Sequence, residues 1–183
     1  MARALDRLVA DISACRLCLE HPQGKPLPHD PRPVLQVSAG AKICIIGQAP
    51  GTKVHVSGRP FTDRSGDRLR EWLGVTSDEF YDPQRFAIVP MGFCFPGQDA
   101  KGGDLPPRRE CAPHWHGKLF ALLPDMELTL LVGQYAQKRY LAAQAKASLT
   151  ETVAAWRNYG PVAIPLPHPS WRNTGWLKKN PWF

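Results

Sequence analysis

The sequence has no uninterrupted apolar run that approaches the roughly eighteen residues of a membrane-spanning helix. Its N-terminal segment also lacks the unbroken apolar core of a secretory signal, because Asp6 and Asp11 interrupt it. We therefore expect a cytoplasmic protein that does not contact a membrane. Internal repeats and low-complexity tracts are absent as well, so we predict one domain over residues 1–183, present as a monomer.

Acidic residues are scarce relative to basic ones. Sixteen Asp and Glu stand against 23 Lys and Arg, which gives a formal net charge of +7. A positive surplus favours a polyanionic partner, although many basic proteins never bind nucleic acid. The share of hydrophobic residues (43%) and of charged residues (21%) is that of a globular protein and excludes a wholly disordered chain.

Four short apolar runs without polar–apolar alternation are typical of strands buried on both faces of a parallel sheet. These runs are residues 43–46, 86–89, 128–132 and 162–164. Helical patterns separate them, at residues 65–74, 108–122 and 134–157. The alternation predicts a layered α/β fold with right-handed crossovers. Residues 20–40, rich in Pro, Gly and polar side chains, are predicted to form a long surface connection.

The residues that follow the four predicted strands indicate where a ligand binds. They are Gly47-Gln48-Ala49-Pro50-Gly51, Pro90-Met91-Gly92, Gly133-Gln134 and His168-Pro169-Ser170. Ligands of open parallel sheets bind outside the carboxyl ends of the strands, so all four exits should face one crevice. The 47–51 turn is not a nucleoside triphosphate loop, because Gly-Lys followed by Ser or Thr is missing.

Five cysteines in a chain without an export signal indicate metal ligands or reactive thiols before disulfides. Cys15 and Cys18 form a CxxC pair after an amphipathic helical pattern, and Cys94 and Cys111 follow far downstream. Four such thiols can hold zinc or an iron–sulfur cluster, and the cysteines alone leave the two nearly even. Cys44 lies inside the first apolar run and is expected to be a buried core thiol.

Other interpretations of the cysteines stay open at this point. The CxxC follows a helix rather than a strand, which argues against a thioredoxin-like motif. A CxxxCxxC run, expected of a radical-generating cluster, is missing. The four thiols could be unrelated, or Cys111 could join His114 and His116 in a mixed zinc site.

Taken in order, the motifs resemble those of the uracil-DNA glycosylase superfamily, and most closely its iron–sulfur branch, often called family 4. The resemblance covers nearly the whole chain. The elements that carry it are the CxxC, Gly47-Gln48-Ala49-Pro50-Gly51, Gly58-Arg59-Pro60-Phe61, Cys94 with Cys111, and His168-Pro169-Ser170. It implies a three-layer α/β/α fold around a four-stranded parallel sheet. It also implies that the CxxC pair, Cys94 and Cys111 bind a [4Fe–4S] cluster rather than zinc.

The resemblance further implies a role for each motif. A glycosylase flips the damaged base out of the stack, and the aromatic face of Phe61 would hold it. The N–H groups of the 47–51 turn and the neutral side chain of His168 would donate to the base oxygen on which charge develops. Pro50, Gly51 and Ser170 would pinch the phosphate backbone.

The implied site residues fall into three groups. The catalytic candidates are His168, Gln48 and Asp63. The base- and DNA-binding candidates are Gly47, Ala49, Pro50, Gly51, Phe61, Ser170, Trp171, Arg172 and Asn173, with Trp171 and Arg172 as groove-probing wedges. The basic residues expected to flank the crevice and bind phosphates are Arg59, Arg64, Arg68, Arg70, Arg108, Arg109, Arg172, Lys178 and Lys179.

Three positions depart from the family pattern. The iron–sulfur branch carries an acidic residue where this chain has Gln48, and family 1 carries Asp where this chain has Ala49. Asp63 is a candidate substitute that orients the attacking water, with charge balance in a basic loop as the alternative. Pro90 stands where the branch has an Asn that reads the uracil edge, and proline has no side-chain hydrogen bond to offer.

The sequence is therefore interpreted as a DNA glycosylase that hydrolyses the N-glycosidic bond of uracil or a related deaminated base. Ala49 and Pro90 favour the alternative of a catalytically inactive DNA- or nucleotide-binding member of the superfamily. An iron–sulfur electron carrier is a further alternative, which would not need Phe61 or His168. The aromatic and basic tail, residues 176–183, is expected either to contact DNA or to pack on the core.

Overall fold

A four-stranded sheet forms the centre of the computed structural model, which describes residues 2–183. The strands are β1 (Ile43–Ile46), β2 (Phe86–Ile88), β3 (Leu128–Val132) and β4 (Ala163–Leu166). All pairings are parallel, in the order β2-β1-β3-β4, with Ile43 opposite both Phe86 and Leu128. The four predicted strands are all present, within two residues of their predicted bounds.

The sheet is covered by helices on both faces, which confirms the three-layer α/β/α architecture. The helices are α1 (Ala2–Ser13), α2 (Leu17–Glu20), α3 (Thr52–Ser57), α4 (Arg64–Leu73), α5 (Ser77–Phe80), α6 (Cys111–Phe120), α7 (Gln134–Leu141), α8 (Leu149–Ala154) and α9 (Thr174–Lys179). One core lies between the sheet and α1, α6 and α7, and Cys44 and Ile46 of β1 point into it. Ile45 points into the opposite core, beneath α4 and α5. None of the helices formed by residues 2–183 has the length and apolar character needed to cross a membrane.

Local sequence signals explain where the helices begin and end. Asp63 caps α4, and Gly74 ends it in the left-handed conformation with a φ of 64°. The predicted helical pattern at 134–157 is broken into α7 and α8. Ser148 begins α8 with a capping box, since its side chain accepts from the Glu151 N–H while the Glu151 side chain accepts from the Ser148 N–H.

Residues 20–40 are not purely a surface connection, and that prediction is wrong for part of the segment. Leu27 and Val34 are buried, and Gln36 forms an antiparallel bridge with Ile88. The bridge has a physical reason: β2 lies at the edge of the sheet, and Gln36 satisfies the backbone groups that the edge would otherwise expose. The other edge strand, β4, tolerates Pro165 because an edge residue does not need both ladder bonds.

The C-terminal tail packs against the fold. Trp176 lies edge-to-face against Trp182 and Phe183, and the Phe183 ring lies 5.0 Å from that of Trp72 on α4. The Trp176 indole also donates to the Thr150 hydroxyl at 2.8 Å. Of the two interpretations of the tail, the structure therefore agrees with packing on the body of the protein.

The close approach of Gly66, in the first turn of α4, to the backbone of Phe61 can be tested by substitution. A Cβ at Gly66 would lie 1.8 Å from the Phe61 carbonyl oxygen, so Gly66→Ala must displace backbone and should cost on the order of 1–3 kcal/mol of stability. Gly117, in α6, is a matched control, because a Cβ there meets nothing within 4 Å. Gly117→Ala should stabilise the protein by about 0.5–1 kcal/mol. Urea unfolding measures both, and equal effects of the two substitutions would contradict the close approach.

Candidate active site at the carboxyl ends of the strands

A cleft of about 790 Å³ opens where the four strands end. It is lined by the 47–51 turn after β1, Pro90 after β2, Gly133 after β3, and His168 with residues 170–173 after β4. Phe61 and Asp63, from the loop before α4, line it as well. Every catalytic candidate and every base- and DNA-binding candidate lines this one cleft, whereas of the nine basic residues expected to bind phosphates only Arg64 and Arg172 line it. The predicted crevice is present, while the chemical roles of its residues stay predictions.

Backbone hydrogen bonds join the first two strand exits. The Met91 N–H donates to the Gly47 carbonyl at 3.0 Å, and the Gly92 N–H donates to the Gln48 carbonyl at 3.0 Å. Gly47 also lies directly against the ring of Phe61, since a Cβ at Gly47 would be 3.2 Å from Phe61 Cζ. The ring and the turn therefore form one surface of the cleft.

Phe61 has a left-handed backbone, with a φ of 55°, that is unusual for a bulky residue. Its carbonyl oxygen accepts from the Tyr81 hydroxyl at 3.0 Å and from Arg70 Nη1 at 3.4 Å. The ring meets Phe80 edge-on at 6.1 Å. Such a backbone costs on the order of 1–3 kcal/mol and persists only where its surroundings hold it, which is common at functional sites.

The ring of His168 is held in a defined tautomer. Its Nδ1 accepts from the Ser170 N–H at 3.2 Å, so in the neutral ring the proton resides on Nε2. A Cβ at Gly133 would lie 3.4 Å from the His168 Cβ, an ordinary van der Waals distance, so His168 packs beside the β3 exit. Burial lowers the pKa of His168, and the charges of Asp63 and Asp104 oppose this shift in part. The result is a neutral ring with an N–H to donate.

The guanidinium group of Arg68 binds the loop that carries His168 and is not available to bind phosphate. Its Nη1 donates to the carbonyls of Pro169 at 3.3 Å and Ser170 at 3.0 Å, and its Nη2 donates to the Thr174 hydroxyl at 3.4 Å. Arg70 is likewise turned inward, toward Asp67 and the Phe61 carbonyl. The prediction that these two arginines bind phosphates is therefore wrong, because both guanidinium groups are used by the fold.

Arg108 is also engaged within the protein. Its guanidinium forms a 2.7 Å ion pair with Glu110 and donates to the Lys25 carbonyl at 2.7 Å. Only 13% of the Arg108 side chain is exposed, so it is not a phosphate contact as predicted. Arg64 and Arg172 do line the cleft, together with Lys53, which the sequence did not single out.

Asp63 has a structural role that neither interpretation anticipated. Its Oδ1 accepts from the Gly66 N–H at 3.3 Å and from the Ser65 hydroxyl, which makes Asp63 the N-cap of α4. The signal for this was present in the sequence, because Asp is a preferred N-cap and an apolar helical pattern follows it. The cap leaves the carboxylate at the cleft wall.

One loop of the cleft had no signal in the sequence. Residues 97–105 fold into a small hairpin, and Gln98, Asp104 and Leu105 from it line the cleft. Asp104 lies outside every strand, helix and motif, so a search for strand-exit residues missed it. It is a second carboxylate in the cleft, beside Asp63.

The four cysteines predicted to bind metal meet at a separate place. Cys15, Cys18, Cys94 and Cys111 line a small cavity of about 10 Å³. The Trp115 indole N–H donates to Cys15 Sγ at 3.4 Å, and the Phe93 N–H donates to Cys111 Sγ at 3.4 Å. Among residues 2–183, no three His, Cys, Asp or Glu side chains have the geometry of a metal-ion site.

The chemistry of this cavity nevertheless fits a sulfur-ligated group. Burial raises the pKa of Cys18 to about 11 and that of Cys94 to about 12, so these thiols would ionise only against a cation. The N–H donors aimed at Cys15 and Cys111 would stabilise thiolates. Cys44 lies in the core on β1 and is 1% exposed, as predicted.

The mixed zinc site is wrong. His116 is buried, its Nε2 donates to the Pro90 carbonyl at 3.0 Å and its Nδ1 bonds the Tyr140 hydroxyl, so neither ring nitrogen is free to bind zinc. His114 is exposed on α6 and lies against Trp115.

The sequence profile described as the Uracil DNA glycosylase superfamily matches residues 35–183. The chain belongs to this superfamily. The match contains the cleft residues from the 47–51 turn to Asn173, together with Cys94 and Cys111. It begins after Cys15 and Cys18, and the assignment to the iron–sulfur branch stays a prediction.

The state of His168 can be measured directly. Because burial lowers its pKa, an NMR titration of the ring should give a midpoint below the ordinary value of about 6.5. The folded protein should also lose stability as the pH falls through 6.5, since the unfolded ring takes up a proton before the folded one does. The resonance is assigned by its loss in His168→Gln. A midpoint above 6.5 would mean that the ring is a cation at the start of any reaction, contrary to a neutral donor.

Proposed function

We propose that this protein is a DNA glycosylase that hydrolyses the N-glycosidic bond of uracil or a related deaminated base. One observation carries the proposal: the ring of Phe61, held by a left-handed backbone, and the ring of His168, whose Nδ1 accepts from the Ser170 N–H, line the same cleft. A stacking face and a hydrogen-bond donor are what a flipped base needs. The cleft volume of about 790 Å³ is in the range of small-molecule sites.

Each group of cleft residues is proposed to have its own role in excision. Phe61 stacks on the extruded base, and the 47–51 backbone with His168 Nε2–H donates to the base oxygen as the bond breaks. The base then leaves as a stabilised anion. Water adds to the sugar, and an abasic site remains without strand cleavage. No covalent enzyme intermediate is expected.

Contacts to DNA come from the rim of the cleft. Trp171 is 71% exposed and stands next to Arg172 on the β4 exit, as expected of residues that enter a groove. Lys53 and Arg64 supply further positive charge in the lining of the cleft. The net charge of +7 supports the same partner.

The position of Pro90 predicts weak discrimination among bases. Its carbonyl accepts from His116, and the next two N–H groups, of Met91 and Gly92, are used by the 47–51 turn. The β2 exit therefore offers the base an apolar wall with Val34 and Ile88 rather than hydrogen bonds. We expect modest activity on uracil and poor rejection of other deaminated bases.

The [4Fe–4S] cluster of the iron–sulfur branch is proposed to be bound by Cys15, Cys18, Cys94 and Cys111. Bound there it would be a structural link between the α1–α2 region and the loop after β2, outside the cleft. The base-excision chemistry is proposed to rest on the cleft residues alone.

Excision tests the proposed function. Oligonucleotides that carry uracil, hypoxanthine or xanthine should yield abasic sites with the wild-type protein. His168→Ala should slow excision by about 10²–10³-fold, the scale of one preorganised donor. His114→Ala, which removes an exposed histidine outside the cleft, should leave the rate unchanged. If every base stays intact while DNA still binds, the inactive DNA-binding alternative is the correct one.

Metal analysis tests the cluster. Protein purified without oxygen should be brown and contain about four irons per chain. Cys18→Ser should lose the colour, whereas Cys44→Ser should keep it, because Cys44 lies in the core on β1. Colourless protein with one zinc per chain would contradict the cluster but retain the four-cysteine site.

A further inference from the structure

The hairpin at residues 97–105 forms a rigid wall of the cleft. The Leu105 N–H donates to the Gly97 carbonyl at 2.9 Å, and the Asp99 N–H donates to the Gly103 carbonyl at 2.7 Å. Arg172, from the β4 exit, reaches across and donates to the Gly102 carbonyl at 3.4 Å. These bonds hold the backbone on both sides of Asp104.

The carboxylate of Asp104 is oriented within this wall. Its Oδ1 accepts from Gln98 Nε2 at 3.2 Å, and Gln98 is also the backbone bridge partner of Asp104. Its Oδ2 is directed at Gly51, where a Cβ would lie 3.2 Å away. A glycine at 51 therefore leaves room for the carboxylate at the end of the 47–51 turn.

The proposed function would bring the sugar of a bound nucleotide beside this carboxylate. The base would lie on Phe61 and His168, and the flanking phosphates would lie at Gly51 and Ser170. The sugar joins the base to the phosphate, so it would lie next to Gly51, the residue at which Asp104 Oδ2 is directed. Asp104 is also close enough to His168 that its charge acts on that ring.

We propose that Asp104 is a catalytic residue that holds and deprotonates the attacking water. The inference rests on the proposed function and assigns the carboxylate that the cleft requires. Gln48 and Ala49 supply no charge. Asp63 uses its Oδ1 to cap α4, and Asp104 uses its Oδ1 to accept from Gln98, so each carboxylate keeps its Oδ2. Asp104 is favoured because its Oδ2 is directed at Gly51, at the end of the 47–51 turn.

The step balances as a hydrolysis. The N-glycosidic bond breaks, and its electron pair leaves with the base, whose oxygen is stabilised by the His168 Nε2–H. The water oxygen bonds to the anomeric carbon, and its proton passes to the Asp104 carboxylate, which returns it to solvent. Until that bond forms, the negative carboxylate also stabilises the positive charge on the sugar.

Three isosteric substitutions provide the test. Asp104→Asn keeps an oxygen for Gln98, and Asp63→Asn keeps an N-cap, so each removes a charge with little effect on structure. In single-turnover excision, Asp104→Asn should be at least 10²-fold slower, the lower range for a general base. Asp99→Asn, on the same hairpin but outside the cleft lining, keeps an oxygen for its two backbone N–H donors and should be within a few-fold of wild type. Asp63→Asn should lose less than Asp104→Asn does. DNA binding by Asp104→Asn should not weaken, because a negative charge is removed.

The NMR titration of His168 does not depend on excision activity, so it tests the position of Asp104 separately from the proposed function. Removing the Asp104 charge should lower the NMR midpoint of His168 further, since that charge raises its pKa. An active wild-type protein with a fully active Asp104→Asn variant, or with the large loss at Asp63→Asn instead, would overturn the role of Asp104 alone. A wild-type protein that leaves every base intact would overturn both proposals. An unchanged His168 midpoint in Asp104→Asn would contradict the proximity of the two side chains.

Discussion

The strained backbone at Phe61 is the constraint on which the cleft depends. Residue 61 adopts a left-handed conformation, with its ring against Gly47 and its carbonyl against Gly66. Gly66 is required, because a Cβ there would lie 1.8 Å from the Phe61 carbonyl oxygen, and Gly47 is tightly packed, because a Cβ there would lie 3.2 Å from Phe61 Cζ. Tyr81 then holds the carbonyl in place. These contacts offset the cost of the strained backbone and hold the Phe61 ring at the cleft wall.

Helix α4 connects the Phe61 loop to the loop that carries His168. Asp63 begins the helix beside Phe61, and one turn later Arg68 reaches the carbonyls of Pro169 and Ser170. The ring of Phe61 and the side chain of His168 are thus fixed to the same helix, although more than a hundred residues separate them in sequence. Sites held by regular elements keep their geometry better than sites held by loops alone. The same rigidity keeps His168 in the tautomer that donates.

Much of the fold and most of the cleft could be predicted from the sequence, because parallel strands buried on both faces are continuous apolar runs and their exits share one edge. What could not be predicted depends on the direction of single side chains. Arginine is a common phosphate ligand, so the sequence predicted that role for Arg68. Only the packing of α4 against the β4 exit directs its guanidinium to the Ser170 carbonyl instead. Asp104 gave no signal because its place is set by the pairing of a short hairpin. The burial of Val34 follows from the need of an edge strand for a partner, which no local pattern encodes.

Entry of an extruded base into the cleft is tested most directly by the fluorescence of 2-aminopurine placed beside a 2′-fluorinated deoxyuridine, whose glycosidic bond resists hydrolysis. Binding of the wild-type protein should unstack the neighbouring base and raise the fluorescence of the duplex. Phe61→Ala should reduce this rise, because stacking contributes about 1–3 kcal/mol per base. Tight binding without any rise in fluorescence would contradict base flipping, and with it the assignment of the cleft as the site of excision.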